Sequence, residues 1–158
     1  MENKEKVKRA LEAVSETLCL MHNELPVPTL NRIFMWIMSE YREAVDHASI
    51  IEAEEYLVDA TAMAIFIAQG DVEFKDNVEH EVLHGLRMHV TEDIDENKPH
   101  VVTAKAIYNL ATKDYKYALA SLFGLAEYHG IDIATRLIDS CAMMREYIDT
   151  HPTLSMLS

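Results

Sequence analysis

Two pairs of acidic residues lie in neighbouring segments of the chain and are spaced to share helix faces. Glu40 and Glu43 are three residues apart, and Glu55 and Asp59 are four residues apart, so the members of each pair project from one side of a helix about one turn apart. If the two helices run antiparallel across the short link between them, the pairs face each other. The pattern predicts a cluster of four carboxylates, with Glu52 one turn before Glu55.

Such a cluster favours a bound cation, because facing carboxylates repel one another and lose hydration when they are partly buried. Oxygen ligands select hard ions, and Mg²⁺ usually completes its octahedral shell with water and substrate phosphates. A metal would also let a chain of net charge −13 bind a polyanion and promote attack of water on phosphorus. Asp59 precedes the apolar run 60–68, where a charge needs a partner. The simpler alternative is a set of hydrated carboxylates on exposed helix faces.

Three stretches around these residues resemble the MazG-like all-α NTP pyrophosphohydrolases. They are Met-His-Asn-Glu-Leu-Pro-Val-Pro-Thr-Leu-Asn-Arg, Met-Ser-Glu-Tyr-Arg-Glu-Ala-Val-Asp and Glu-Glu-Tyr-Leu-Val-Asp-Ala-Thr-Ala-Met-Ala, and the resemblance spans about residues 20–90. It implies an all-α fold and Mg²⁺-dependent cleavage of (d)NTP to (d)NMP and pyrophosphate. The superfamily includes phage proteins, phosphoribosyl-ATP-pyrophosphatase-like proteins and dimeric dUTPases. Its members commonly assemble into dimers or tetramers, so the resemblance also implies a homodimer or homotetramer.

In that superfamily an ExxE motif on one helix and an ExxD motif on the next bind Mg²⁺. Glu40 and Glu43 match ExxE, whereas Glu55 and Asp59 stand where ExxD belongs but are spaced by four residues. The wider spacing either keeps a metal site, because positions i and i+4 share a helix face, or marks a divergent, inactive member. The resemblance implies that all four residues are Mg²⁺ ligands and that Glu43 is catalytic and orients the attacking water.

A histidine motif offers a different metal chemistry. His80 and His84 enclose Glu81 in the order His80-Glu81-Val82-Leu83-His84, which is the zincin pattern of two ligands and a general base. The metzincin continuation is absent, so a zinc hydrolase is a lesser alternative. Glu81 and His84 also form one Glu-x-x-His half of a di-iron site, but the chain contains no second half. The simplest interpretation of this histidine motif is a polar face of a helix without a bound metal.

A non-catalytic function is the other alternative. The irregular acidic spacing and the charge of −13 suit an acidic decoy that keeps the same fold and binds a basic partner. The same charge disfavours direct contact with nucleic acid or anionic lipid.

Several other side chains are candidates for substrate binding. Trp36 lies beside the apolar stripe of its helix and is a candidate for stacking on a base, and Arg87 is a candidate for contacting phosphates. The sequence does not separate the remaining candidate cations from ordinary surface charges: Arg32, Arg42, Lys75 and Lys105.

The segments that position these residues are predicted to be helical. The chain has only four glycines and four prolines in 158 residues, which argues against a β-sandwich rich in tight turns. Apolar residues recur at steps of three or four. The predicted helical segments are 3–24, 30–47, 50–69, 76–90, 101–110, 115–129 and 133–149.

This order predicts a single all-α domain over 1–158, a bundle of six or seven helices. Residues 1–90 form the half with the acidic motifs, and 100–158 form a helical companion half. Segments 64–71 and 122–132 each end an apolar helix at or near a glycine, which raises the hypothesis of two degenerate helical hairpins. The acidic stretch 91–99 is predicted to be a loop.

Proline, serine and cysteine residues add local expectations. Pro26 and Pro28 bracket a predicted extended link, and Ser49 heads a capping-box pattern. Cys19 and Cys141 fall in apolar helical patterns and are expected to be buried, reduced thiols.

No uncharged apolar run reaches the roughly 18 residues of a membrane span, and the N-terminus lacks the pattern of a signal peptide. We therefore expect a cytoplasmic protein.

Overall fold

The computed structural model describes residues 2–22, 24–82 and 99–150, and these contain no β-strand. The all-α prediction is confirmed. The helices are α1 (Glu2–His22), α2 (Val27–Asp46), α3 (Ile50–Gly70), a 3-10 turn (Lys75–Asn77), α4 (Pro99–Ala111), α5 (Tyr115–Tyr128) and α6 (Ile133–Thr150). Residues 78–82 are also helical. The remainder of the predicted segment 76–90, and residues 91–98 of the predicted loop, lie outside the described residues.

Two prolines begin helices rather than interrupt them. Pro28 lies in the first turn of α2, so the predicted extended link is wrong at this residue and α2 begins three residues earlier than expected. Pro99 likewise is the first residue of α4. Proline is tolerated there because the first N–H groups of a helix have no partner within it.

Three helices end with the same hydrogen-bonded cap. Ala48, Lys113 and Gly130 follow α2, α4 and α5 with φ values of 56°, 64° and 70°. In the first cap, the N–H of Ser49 donates to the Ala44 carbonyl at 2.9 Å. This left-handed residue and long backward bond form a Schellman motif, which reverses the chain within a few residues. The predicted capping box at Ser49 is wrong, because its side chain makes no capping hydrogen bond.

The short turns produce two antiparallel helical hairpins. Helix α2 packs along α3 and α4 packs along α5, and the hairpins meet through α3 against α5 and α2 against α4. Helices α1 and α6 pack on each other and on α3. Helix α3 is therefore buried on most sides. Its continuous apolar run from Ala60 to Ala68 requires this, because it places apolar side chains all round the helix. That the hairpins arose by duplication stays a prediction.

The two cysteines differ in their environments. Cys141 is buried in the core as predicted, whereas Cys19 is exposed, so that part of the prediction is wrong. Helix α1 presents only one buried stripe, which includes Val7, Val14 and Thr17, and Cys19 lies off that stripe. Among the described helices, none combines the length and apolarity that crossing a membrane requires.

Candidate functional site

Glu55 and Asp59 both line a cavity of about 800 Å³ between α1, α3 and α6. Their spacing of four residues on α3 places them on one helix face. The other lining residues are Met21, Val58, Arg136, Asp139, Ser140, Met143, Met144, Tyr147 and Ile148. The predicted acidic pair therefore lies in a large cavity, among apolar side chains and a few polar ones.

Asp59 has the most perturbed carboxyl group of the described acidic residues. Its side chain is accessible to solvent, but it lies between the large cavity and a second one of about 180 Å³, where neighbouring protein atoms remove part of its hydration. This partial burial, and then the charge of Glu55, raise the pKa of Asp59 to about 6. Both causes disfavour the ionised form, and a bound cation would relieve both.

The second cavity joins α2 to this site. Ile33, Trp36 and Ile37 of α2 line it together with Asp59. The Trp36 side chain is 61% exposed, so its ring borders the site and is not part of the core. This position is compatible with the predicted stacking role, which stays a prediction.

Glu40 and Glu43 continue this side of α2 toward the hairpin turn. Trp36, Glu40 and Glu43 occupy positions i, i+4 and i+7, which share one helix face. Glu55 precedes Asp59 by one turn on the antiparallel α3, so it also lies nearer the turn. Glu40 is half-buried and Glu43 is exposed. Neither Glu40 nor Glu43 lines either of the two cavities, so of the four predicted residues only Glu55 and Asp59 are brought together in the site.

Within the described residues, no group of three or more His, Cys, Asp or Glu side chains is arranged to hold a metal ion. The Mg²⁺ ion that the sequence places on Glu40, Glu43, Glu55 and Asp59 stays a prediction. Of the alternative motif, His80 is exposed and Glu81 is half-buried. His84 and Arg87 lie outside the described residues, so the zinc and phosphate-contact predictions that depend on them stay predictions too.

Arg136 supplies a positive charge that the sequence reasoning missed. It lines the large cavity with Glu55 and Asp59, and its Nη1 donates to Glu54 Oε1 at 3.3 Å. Asp139 and Ser140 follow at i+3 and i+4 and line the same cavity. That polar spacing was the available signal, but only the packing of α6 on α3 brings it to the acidic pair.

The fold and the cavity define an all-α helical bundle with a carboxylate pair and an arginine in a cavity of about 800 Å³. No family model, curated protein or solved structure matches the chain. The features that bear on function are therefore the site itself and the motifs in residues 20–90.

Proposed function

We propose that this protein is a Mg²⁺-dependent nucleoside triphosphate pyrophosphohydrolase that cleaves (d)NTP to (d)NMP and pyrophosphate. The observation that carries the proposal is the Glu55–Asp59 pair lining a cavity of about 800 Å³ together with Arg136. That volume lies within the roughly 300–1,000 Å³ range of small-molecule sites. Carboxylates for a cation and an arginine for phosphate are the two kinds of group that a metal-bridged nucleotide needs.

The donor set suits Mg²⁺ because it consists of carboxylate oxygens. Glu55 and Asp59 would hold the ion, with Glu40 and Glu43 from the adjacent side of α2. Mg²⁺ keeps several water ligands and is completed by substrate phosphates, so it does not require a complete protein cage. When bound, the ion would neutralise charge on the phosphate oxygens and increase the electrophilicity of phosphorus.

The other proposed roles come from the family resemblance and from the residues around the two cavities. Glu43 would orient the water that attacks the α-phosphorus and accept its proton, while the bond to the bridging oxygen breaks and pyrophosphate leaves. Arg136 would contact the phosphates, since a guanidinium donates two hydrogen bonds in a fixed geometry. Trp36 would stack on the base. Arg87 remains a second phosphate contact proposed from the sequence alone.

The proposal includes assembly into a homodimer or homotetramer, as the resemblance implies. Trp36, Met143 and Tyr147 are exposed large side chains beside the two cavities. A subunit interface near the site would cover part of this apolar surface. Light scattering at several protein concentrations measures the assembly.

The experiment is a panel of NTPs and dNTPs incubated with the protein and Mg²⁺, with separate measurement of monophosphate and pyrophosphate. We expect at least one nucleotide to yield both products in equal amounts. Asp59→Asn and Glu55→Gln should abolish the reaction, whereas the exposed Asp149→Asn and Glu12→Gln should not. Equal activity in all four variants, or no turnover of any nucleotide, would remove the proposal.

Thermal shift distinguishes this function from the acidic decoy. Mg²⁺ with a non-hydrolysable triphosphate should stabilise the protein by about 2.7 kcal/mol at one hundred times its dissociation constant. A decoy on the same fold would be unaffected by that mixture and stabilised by a basic polypeptide instead.

A further inference from the structure

Arg136 lines the large cavity but is bound by a carboxylate that does not line it. The Nη1 of Arg136 donates to Glu54 Oε1 at 3.3 Å, and Glu54 lines neither the large cavity nor the second one. Glu54 and Glu55 are adjacent on α3, so their side chains project about 100° apart around the helix axis. Glu55 therefore faces the cavity, while Glu54 reaches Arg136 from a different side of α3.

The Glu54–Arg136 ion pair has the most protected carboxylate of the four ion pairs between described residues. The Glu54 side chain is 24% exposed, compared with 59%, 52% and 70% for Asp132, Asp46 and Glu16. It is also the only one of these pairs that joins α3 to α6. Partial burial reduces screening by solvent and salt, which leaves exposed pairs weak. This pair is therefore the best suited of the four to fix a side chain in place.

The backbone at the start of α6 is fixed as well. The carboxylate of Asp132 accepts hydrogen bonds from Thr135 Oγ1 at 2.9 Å and from Lys6 Nζ at 3.1 Å. The N–H of Arg136 donates to the Asp132 carbonyl at 3.0 Å. These bonds anchor the first turn, so only the long side chain of Arg136 is left for Glu54 to position. A cation near a helix N-terminus opposes the helix dipole, so the stability of α6 does not explain an arginine here.

Other carboxylates compete with Glu54 for the guanidinium. Asp139 follows Arg136 by three residues, which is the spacing of an ion pair on a helix, and Glu55 and Asp59 line the same cavity. Among the described residues, Arg136 nevertheless pairs only with Glu54. That hydrogen bond uses one of the five N–H groups of a guanidinium, so the other donors stay available to a ligand in the cavity.

We propose that Glu54 is a positioning residue for the phosphate contact of Arg136. It binds one edge of the guanidinium and leaves the other edge free to donate to a phosphate. Without Glu54, Arg136 would pair with Asp139 or with the proposed Mg²⁺ ligands, and a phosphate would have to displace that carboxylate first. This inference rests on the proposed function, which supplies the phosphate.

Calorimetric titration with inorganic tripolyphosphate in excess Mg²⁺ measures the phosphate contact without turnover. We expect saturable binding that Glu54→Gln weakens roughly fivefold, because the guanidinium loses its anchor. Glu54→Asp keeps the charge and should lose less. Glu16→Gln is the matched control, since it breaks the ion pair of Glu16 with Arg145 between α1 and α6 and should leave binding unchanged.

A double-mutant cycle separates positioning from a general structural effect. In an Arg136→Gln background, Glu54→Gln should cause no further loss of affinity, because no guanidinium is left to position. In steady-state kinetics with the nucleotide that is cleaved fastest, Glu54→Gln should raise KM about fivefold and change kcat by less than about twofold.

The inference is overturned if Arg136→Gln weakens binding while Glu54→Gln leaves it unchanged or tighter, as simple relief of charge repulsion would. Equal losses from Glu54→Gln in both backgrounds would overturn it too. Either result leaves the proposed hydrolase intact. Failure to bind tripolyphosphate, together with no cleavage of any nucleotide, removes the proposed function and this inference with it.

Discussion

Tyr41 and His129 share a hydrogen bond of 2.7 Å between the tyrosine hydroxyl and the histidine Nε2. Tyr41 is fully buried on α2, and His129 follows the last residue of α5, so the bond joins the two hairpins. The rings meet edge to face, with centroids 5.6 Å apart. Burial lowers the pKa of His129 and raises that of Tyr41. The Tyr41 hydroxyl therefore keeps its proton and donates the hydrogen bond to Nε2 of a neutral imidazole that carries its own proton on Nδ1.

Tyr41→Phe should destabilise the protein by about 1–2 kcal/mol, because it leaves a half-buried ring nitrogen without its partner. Urea unfolding followed by circular dichroism measures the change. Tyr117→Phe is the matched control, since Tyr117 is exposed, and it should change stability by less than about 0.5 kcal/mol. Equal effects of the two substitutions would show that the Tyr41–His129 hydrogen bond adds nothing to the free energy of unfolding.

Asp59→Asn should stabilise the metal-free protein at pH 8 and have little effect at pH 4. The folded protein raises the pKa of Asp59 from 3.8 to about 6, so folding is favoured by protonation and this contribution is lost as pH rises through 6. Because the side chain is accessible, we expect a gain of about 0.5–1 kcal/mol at pH 8.

Urea midpoints of Asp59→Asn and the unmodified protein across this pH range measure the effect. The pKa of His129 is lowered on folding, which makes stability fall below about pH 6.5, but this term is common to both proteins and cancels. A variant that is less stable at pH 8 would contradict the assigned environment of Asp59.

Ala48→Gly should stabilise the protein by roughly 0.5–1 kcal/mol. Ala48 has a φ of 56°, a conformation in which a Cβ is unfavourable and glycine is not. The same substitution at Ala142, an exposed position within α6, should destabilise by about 1 kcal/mol, because glycine is a poor helix former. Thermal unfolding of both variants checks the opposite signs; a shared sign would exclude strain at the α2–α3 turn.

Arg136→Gln should raise the KM for the nucleotide about tenfold, equivalent to roughly 1.4 kcal/mol, if it contacts the phosphates in the ground state as well as the transition state. Arg145→Gln is the matched control, because Arg145 lies on the same helix, contacts Glu16 at 3.7 Å and does not line the cavity. Steady-state kinetics measure both, and a larger effect at Arg145 would argue against the assigned role.

Cys19 should react with a thiol reagent quickly at pH 8, and Cys141 only slowly in the folded protein. Cys19 is exposed, whereas burial raises the pKa of the Cys141 thiol, and the thiolate is the reactive form. Mass spectrometry after a short exposure to iodoacetamide should find one label. Cys19→Ser should remove it and Cys141→Ser should not.

Local sequence patterns were sufficient to predict most helices. The spacing of apolar residues repeats every turn, and α3, α5 and α6 begin and end within one residue of the predicted bounds. The misses have local causes: α2 begins early because proline is allowed in a first turn. Two of the three Schellman caps lack the glycine that would have indicated them, since Ala48 and Lys113 occupy the left-handed position.

The sequence by itself determined that the chain is helical and that both acidic pairs lie on neighbouring helices, because helix formation and side-chain spacing depend on residues close together in the chain. Only the tertiary structure brought Arg136 to Asp59, exposed Cys19 and paired Arg136 with Glu54. Each of these relations depends on how two distant helices pack, which periodicity along one helix does not specify.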